Sequence, residues 1–138
     1  LFTPVGYGHL QELAERTRIW LRGLLEREQQ AGRTVMGYGA AAKGATLLNH
    51  AEIDRRLLPA VVDRNPAKQG RQMPGTGISI HPEDELRPAR PETILILPWN
   101  LRDELAVQLS YSSEWGAQLA VPLPDGRIWE QKGPEHVV

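Results

Sequence analysis

The sequence predicts a doubly wound α/β domain with a mainly parallel, Rossmann-like sheet and helices on both faces. Three observations predict it. Short apolar runs alternate with stretches of helical period along the whole chain. One such run, Thr34-Val35-Met36, ends in Gly37-Tyr38-Gly39 and passes into Ala40-Ala41-Ala42-Lys43-Gly44, the order strand, glycine turn, helix start. A second run, residues 93–97, is apolar without alternation, as a strand covered on both faces is.

The elements follow in order. Between residues 8 and 30, Leu10, Leu13, Ala14, Trp20, Leu21, Leu24 and Leu25 make one apolar stripe of an amphipathic helix, and Gly32 is placed to stop it. A strand covers 33–36 and a short helix 40–50. Residues 57–62 read as a second strand, interrupted at its start by Pro59. Asp63-Arg64-Asn65-Pro66-Ala67-Lys68-Gln69-Gly70 is a turn-rich loop. A short edge strand at 77–80 precedes His81-Pro82. Glu83, Asp84 and Glu85 form a helix-start run rather than a placed acid–base pair. After the strand 93–97, Pro98-Trp99-Asn100 breaks the run, with Asn100 as N-cap of a helix over 101–111. The last parallel strand is 117–121, with a short addition near 127–129 and a disordered tail after Gln131.

Composition excludes several function classes. Sixteen basic and seventeen acidic residues nearly cancel, so no net field draws nucleic acid or an anionic membrane. With no cysteine there is no disulfide, thiol nucleophile or cysteine metal site. No signal peptide and no apolar run of ~18 residues is present, and the expected location is cytoplasmic. The 138 residues are expected to form a single domain, and a start at Leu1 suggests a piece of a longer protein.

In a doubly wound sheet, ligands bind beyond the carboxyl ends of the strands. Three polar clusters fall at such ends: residues 37–44, residues 63–68, and Trp99-Asn100. Together they predict a phosphate-bearing ligand with a base stacked near Trp99. Gly37 makes the tight turn, with Tyr38 next to it. Gly39 lets backbone approach a phosphate, and Ala42 permits close helix–strand packing. Lys43 either meets a phosphate as a point charge or stays solvated. Asp63 either accepts ribose hydroxyls or caps the turn of Arg64-Asn65-Pro66. Arg64 and Lys68 are placed to face a pyrophosphate, or are surface charges after a strand. His81 is an acid–base candidate near neutral pH or a structural histidine. No catalytic residue and no metal ligand is expected.

The blocks Gly37-Tyr38-Gly39-Ala40-Ala41-Ala42-Lys43-Gly44, Val62-Asp63-Arg64-Asn65-Pro66-Ala67-Lys68-Gln69-Gly70, Met73-Pro74-Gly75-Thr76 and Leu97-Pro98-Trp99-Asn100-Leu101-Arg102-Asp103-Glu104 occur in one order across nearly the whole chain. In them the chain resembles the C-terminal domain of the sugar C-methyltransferase family, enzymes that act on nucleotide-linked deoxysugars. The resemblance implies a Rossmann-like domain that helps hold a nucleotide-linked sugar. It also implies a zinc-binding domain and an S-adenosylmethionine-dependent methyltransferase domain upstream in the same chain. No cofactor is then expected within these residues, and no methyl transfer by them alone. The alternative class is an NAD(P)- or nucleotide-binding domain of an oxidoreductase or sensor.

Overall fold

Val35–Tyr38 (β1) lies inside a six-stranded sheet, hydrogen-bonded to a parallel strand on either side. The computed structural model describes the backbone of residues 4–122 and 127–130, and the side chains of Glu12 and of residues 15–122. A long helix, Pro4–Gln30 (α1), leads into β1. Then come Ala42–His50 (α2), Ala60–Asp63 (β2), Ser79–Pro82 (β3), Leu86–Ala89 (α3) and Thr93–Ile96 (β4). Arg102–Gln108 (α4), Gln118–Val121 (β5) and Arg127–Glu130 (β6) complete the order. The strands lie β3-β2-β1-β4-β5-β6; the first five are parallel and β6 pairs antiparallel with β5. This is the predicted doubly wound sheet, with the short addition near 127–129 as its sixth strand.

Alternation along each strand sends side chains to opposite faces. Val35, Val61, Ile80, Leu95, Leu97 and Ala120 meet Leu21, Leu24 and Leu25 of α1 and Ala45, Leu47 and Leu48 of α2. Met36, Tyr38, Val62, Ile94, Ile96, Leu119 and Val121 meet Leu86 of α3 and Leu105 and Leu109 of the α4 segment. Trp20 packs half-buried against the first of these clusters, whereas the side chains of Leu10, Leu13 and Ala14, and the tail after Gln131, lie outside the described residues. A carboxylate pins the seam between α1 and β4. Buried Glu28 accepts from Thr93 Oγ1 (2.5 Å) and from Arg33 Nε (2.8 Å).

Several boundaries differ from the predicted ones, each for a local reason. Strand β2 starts at Ala60, just past Pro59, which lacks a ladder donor. Helix α2 starts at Ala42 because both backbone groups of Ala40 are bonded elsewhere. The predicted helix over 101–111 is split. Asn100 is no cap but falls inside a 3₁₀ turn, Trp99–Leu101, and α4 ends at Gln108. Beyond it, Ser112 Oγ and Ser113 Oγ donate to the carbonyls of Leu109 and Ser110, and the chain tightens into a second 3₁₀ stretch, Ser110–Trp115.

Candidate functional site

The strand order reverses between β1 and β4, so the crevice of the sheet opens at their carboxyl ends. The glycine turn occupies one side of it. Gly39 continues the ladder by donating to Val62 O (2.9 Å) and then turns at φ +93°. A Cβ at Gly39 would stand 2.5 Å from Cδ of Pro98, which follows β4. Glycine is therefore needed for the turn and for the fit against the opposite wall of the crevice.

Close helix–strand packing falls at Gly44, not at Ala42 as the spacing suggested. Ala42 is exposed, whereas a Cβ on Gly44 would lie 2.9 Å from Leu97 Cβ. The loop uses two more residues than the dinucleotide fingerprint because Ala40 is held in place. Its N–H donates to Asp63 Oδ2 (2.7 Å) and its carbonyl accepts from Lys68 Nζ (2.8 Å). The other oxygen of Asp63 accepts the Asn65 N–H (2.8 Å), and Asn65 Oδ1 accepts the Ala67 N–H (3.0 Å).

Helix α2 begins without a side-chain cap. Ala41, at its N-cap, is extended (φ −89°, ψ 157°) and offers no oxygen to the first-turn amides. Those amides and the positive end of the helix face the crevice. Lys43 is exposed in the first turn, with Nζ 6.0 Å from the ring centre of Trp99, and it forms no ion pair among the described residues. Trp99 is half-buried and packs on both cores, so its ring sits at the rim between the two faces. Asn100 is exposed beside it.

Other candidates go to the α4 side of the same edge. Tyr38 follows the alternation of β1 to that face, where its hydroxyl donates to Glu83 Oε1 (2.7 Å). Arg64 Nε (2.8 Å), Gln108 Nε2 (3.1 Å) and Tyr111 OH (3.2 Å, to Oε2) bond to the same carboxylate. Burial, helped by the charge of Glu83, pushes the Tyr111 phenol up to about 12, and burial raises Tyr38 likewise. Both phenols therefore remain donors at neutral pH. His81 is in register with Val62 and so shares the α4 face; its Nε2 meets Ser79 Oγ (2.9 Å) and its Nδ1 meets Glu85 (3.1 Å).

The structure thus gathers Gly37, Gly39, Lys43, Asp63, Asn65, Lys68, Trp99 and Asn100 around the crevice and its α2 side. It turns Tyr38, Arg64 and His81 to the other side. Sequence reasoning missed Glu83, Gln108 and Pro98, whose partners lie tens of positions away and leave no local signal. Among the described residues no cluster of His, Asp and Glu could hold a metal ion, and no helix is long and apolar enough to cross a membrane.

Comparisons with known proteins bear on the same residues. A family model described as C-methyltransferase C-terminal domain matches residues 1–124. The C-methyltransferase NovU of Streptomyces niveus is 30% identical over 122 residues, covering 88% of this chain and 29% of that protein. The chain thus spans less than a third of the length of the curated relative it matches. Among solved structures, a UDP-D-quinovosamine 4-dehydrogenase from Vibrio fischeri superposes with a TM-score of 0.49 at 18% identity, covering 71% of this chain and 92% of that one.

Proposed function

The chain belongs to the C-methyltransferase C-terminal domain family, and we propose that its part in such an enzyme is to hold the substrate, a nucleotide-linked sugar, by its diphosphate. The observation that carries this reading is the uncapped N-terminus of α2 at the β1/β4 crevice, with the Lys43 ammonium in its first turn and Trp99 on the rim. Backbone amides and an ammonium group are both donors that a diphosphate takes, and an aromatic rim suits a stacked base.

In this reading the chain binds and orients; it does not carry out the chemistry. S-adenosylmethionine supplies the methyl group in a methyltransferase domain elsewhere in the same polypeptide, and that domain is the partner that completes the cleft. Lys43 and the α2 amides fix the diphosphate, and Trp99 limits how the base can lie. The sugar is then held in one direction from the diphosphate, toward the partner domain.

The test is an NMR titration of the ¹⁵N-labelled chain with a thymidine diphosphate sugar. Amide shifts are expected at Gly39, Ala41 and Lys43, with the indole of Trp99. Lys43→Ala should weaken binding roughly tenfold to a hundredfold, the range of one charge-assisted contact of ~1.5–3 kcal/mol. If none of these residues responds, the reading falls. Incubation of the chain alone with labelled S-adenosylmethionine and a nucleotide-linked keto-sugar should give no methylated product.

A further inference from the structure

Ala40 is bonded at both of its backbone groups by charged side chains. Asp63 takes the N–H of the 39–40 peptide at 2.7 Å, and Lys68 donates to the carbonyl of the 40–41 peptide at 2.8 Å. A trans peptide points its C=O and N–H in opposite directions. By drawing the Ala40 carbonyl toward itself, Lys68 therefore turns the Ala41 N–H the other way. Its positive charge also polarises that peptide and strengthens the N–H as a donor. The loop carrying Asp63 and Lys68 is itself tied down. Gln69 Nε2 donates to Asp63 O (2.9 Å) and the Lys68 N–H to Asn65 O (3.0 Å).

The second consequence concerns which nucleotide fits. In dinucleotide sites the acid at the end of the second strand accepts the hydroxyls of the adenosine ribose. Here Asp63 holds that place, but one oxygen binds the Ala40 amide and the other the Asn65 amide. Lys68 reaches across the same ground to Ala40. A ribose entering there would meet the Lys68 side chain and would have to share the remaining lone pairs of Asp63 with the two amides that shape the turn.

We infer that Asp63 and Lys68 are positioning residues: they aim the Ala41 N–H at a phosphate and close the adenosine-ribose position, so that the turn accepts a nucleoside diphosphate and refuses a dinucleotide. This rests on the diphosphate reading of the site and adds its selectivity. Neither residue touches the ligand; both act through the backbone of Ala40.

The experiment has a ligand-free arm and a binding arm. In the free protein, Lys68→Met and Asp63→Asn should shift the Ala40 and Ala41 amide resonances and speed their hydrogen exchange. The amides of Val61 and Ile94 should stay in place, and the thermal midpoint should move by only a few degrees. In the binding arm, inorganic pyrophosphate and thymidine diphosphate should bind the wild type about tenfold more tightly than either variant, Lys68→Arg should recover most of the loss, and NAD should leave Asn65 unshifted. Saturable NAD binding with a shift at Asn65 overturns the inference. So does a Lys68→Met variant that loses affinity with no change at Ala41 in the free protein, since Lys68 would then touch the ligand directly. A wild type that binds neither diphosphate, while the free-protein arm behaves as expected, overturns the functional reading and supports the backbone brace.

Discussion

Glu28 is a carboxylate at only 2% exposure, and its ionised form is held by what surrounds it. Burial alone would raise its pKa, but the hydrogen bonds and charge of Arg33 and the bond from Thr93 outweigh burial and leave it lowered. A folded value below the unfolded one means the stabilisation is present above about pH 4.5 and is lost as pH falls through the folded value. Glu28→Gln should cost about 2 kcal/mol at pH 7, and urea midpoints measured from pH 7 to 3 should fall less in the variant than in the wild type. Gly44 sets two effects against each other. Alanine would gain up to about 1 kcal/mol of helix propensity, but its Cβ would press on Leu97 at 2.9 Å, which costs about 1–3 kcal/mol. The packing cost wins, so Gly44→Ala should lower the thermal midpoint; a rise would show that α2 can shift freely off the sheet. At this scale the sequence was legible where a rule is local. The glycine pair was found by its spacing, but the tight turn expected at Gly37 falls at Gly39, because Gly37 is still paired on both sides within β1. The packing glycine was misassigned to Ala42, because counting from the fingerprint could not know that Ala40 is bonded to Asp63 and Lys68, residues more than twenty positions away.

Among elements, the carboxylate of Glu83 joins four segments. It receives Tyr38 from β1, Arg64 from the loop after β2, Gln108 from α4, and Tyr111 from the 3₁₀ stretch. Glu83→Leu would leave the part-buried hydroxyls of Tyr38 and Tyr111 without this acceptor, a loss of about 2–4 kcal/mol, while Glu83→Gln keeps an acceptor and should cost less. The tyrosines give a second readout. In the wild type Tyr111 titrates near 12, owing to burial and the Glu83 charge. In Glu83→Gln the phenolate absorbance of Tyr111 should appear closer to 10. No change in that titration would mean that burial alone sets it. A folded value above the unfolded one also means that this contribution is present below about pH 10 and is lost as pH rises through about 12. Elements were legible where an apolar run stood alone, as in β4. They were less so where side chains compete with backbone: near Ser112 and Ser113 the α-helix ends three residues before the predicted 111, although Leu105 and Leu109 keep its spacing.

For the whole molecule, the alternation of strands and helices was enough to predict the sheet and the edge at which the polar clusters meet. It could not predict the side of that edge each residue takes. That depends on register: pairing His81 with Val62 and continuing β1 through Tyr38 sends both to the α4 face, and Arg64 follows them to Glu83. The order of the strands has a further consequence, in the time the chain takes to fold. β1 pairs with β2 between positions 37 and 61, but with β4 between positions 35 and 93, more than twice as far along the chain. Closing the longer loop costs about 0.8 kcal/mol more in chain entropy, before any contact across it forms. The β1–α2–β2 unit should therefore assemble first and β4 should join a partly formed edge. Val61→Ala should slow refolding in stopped-flow measurements, whereas Ile94→Ala should chiefly speed unfolding; the reverse pattern would refute that order. The two walls of the crevice, Gly39 and Pro98, belong to these early and late parts. On that order the crevice is among the last features of the chain to form, and a newly made molecule should pass through a stage in which its glycine turn is shaped but has nothing to close against.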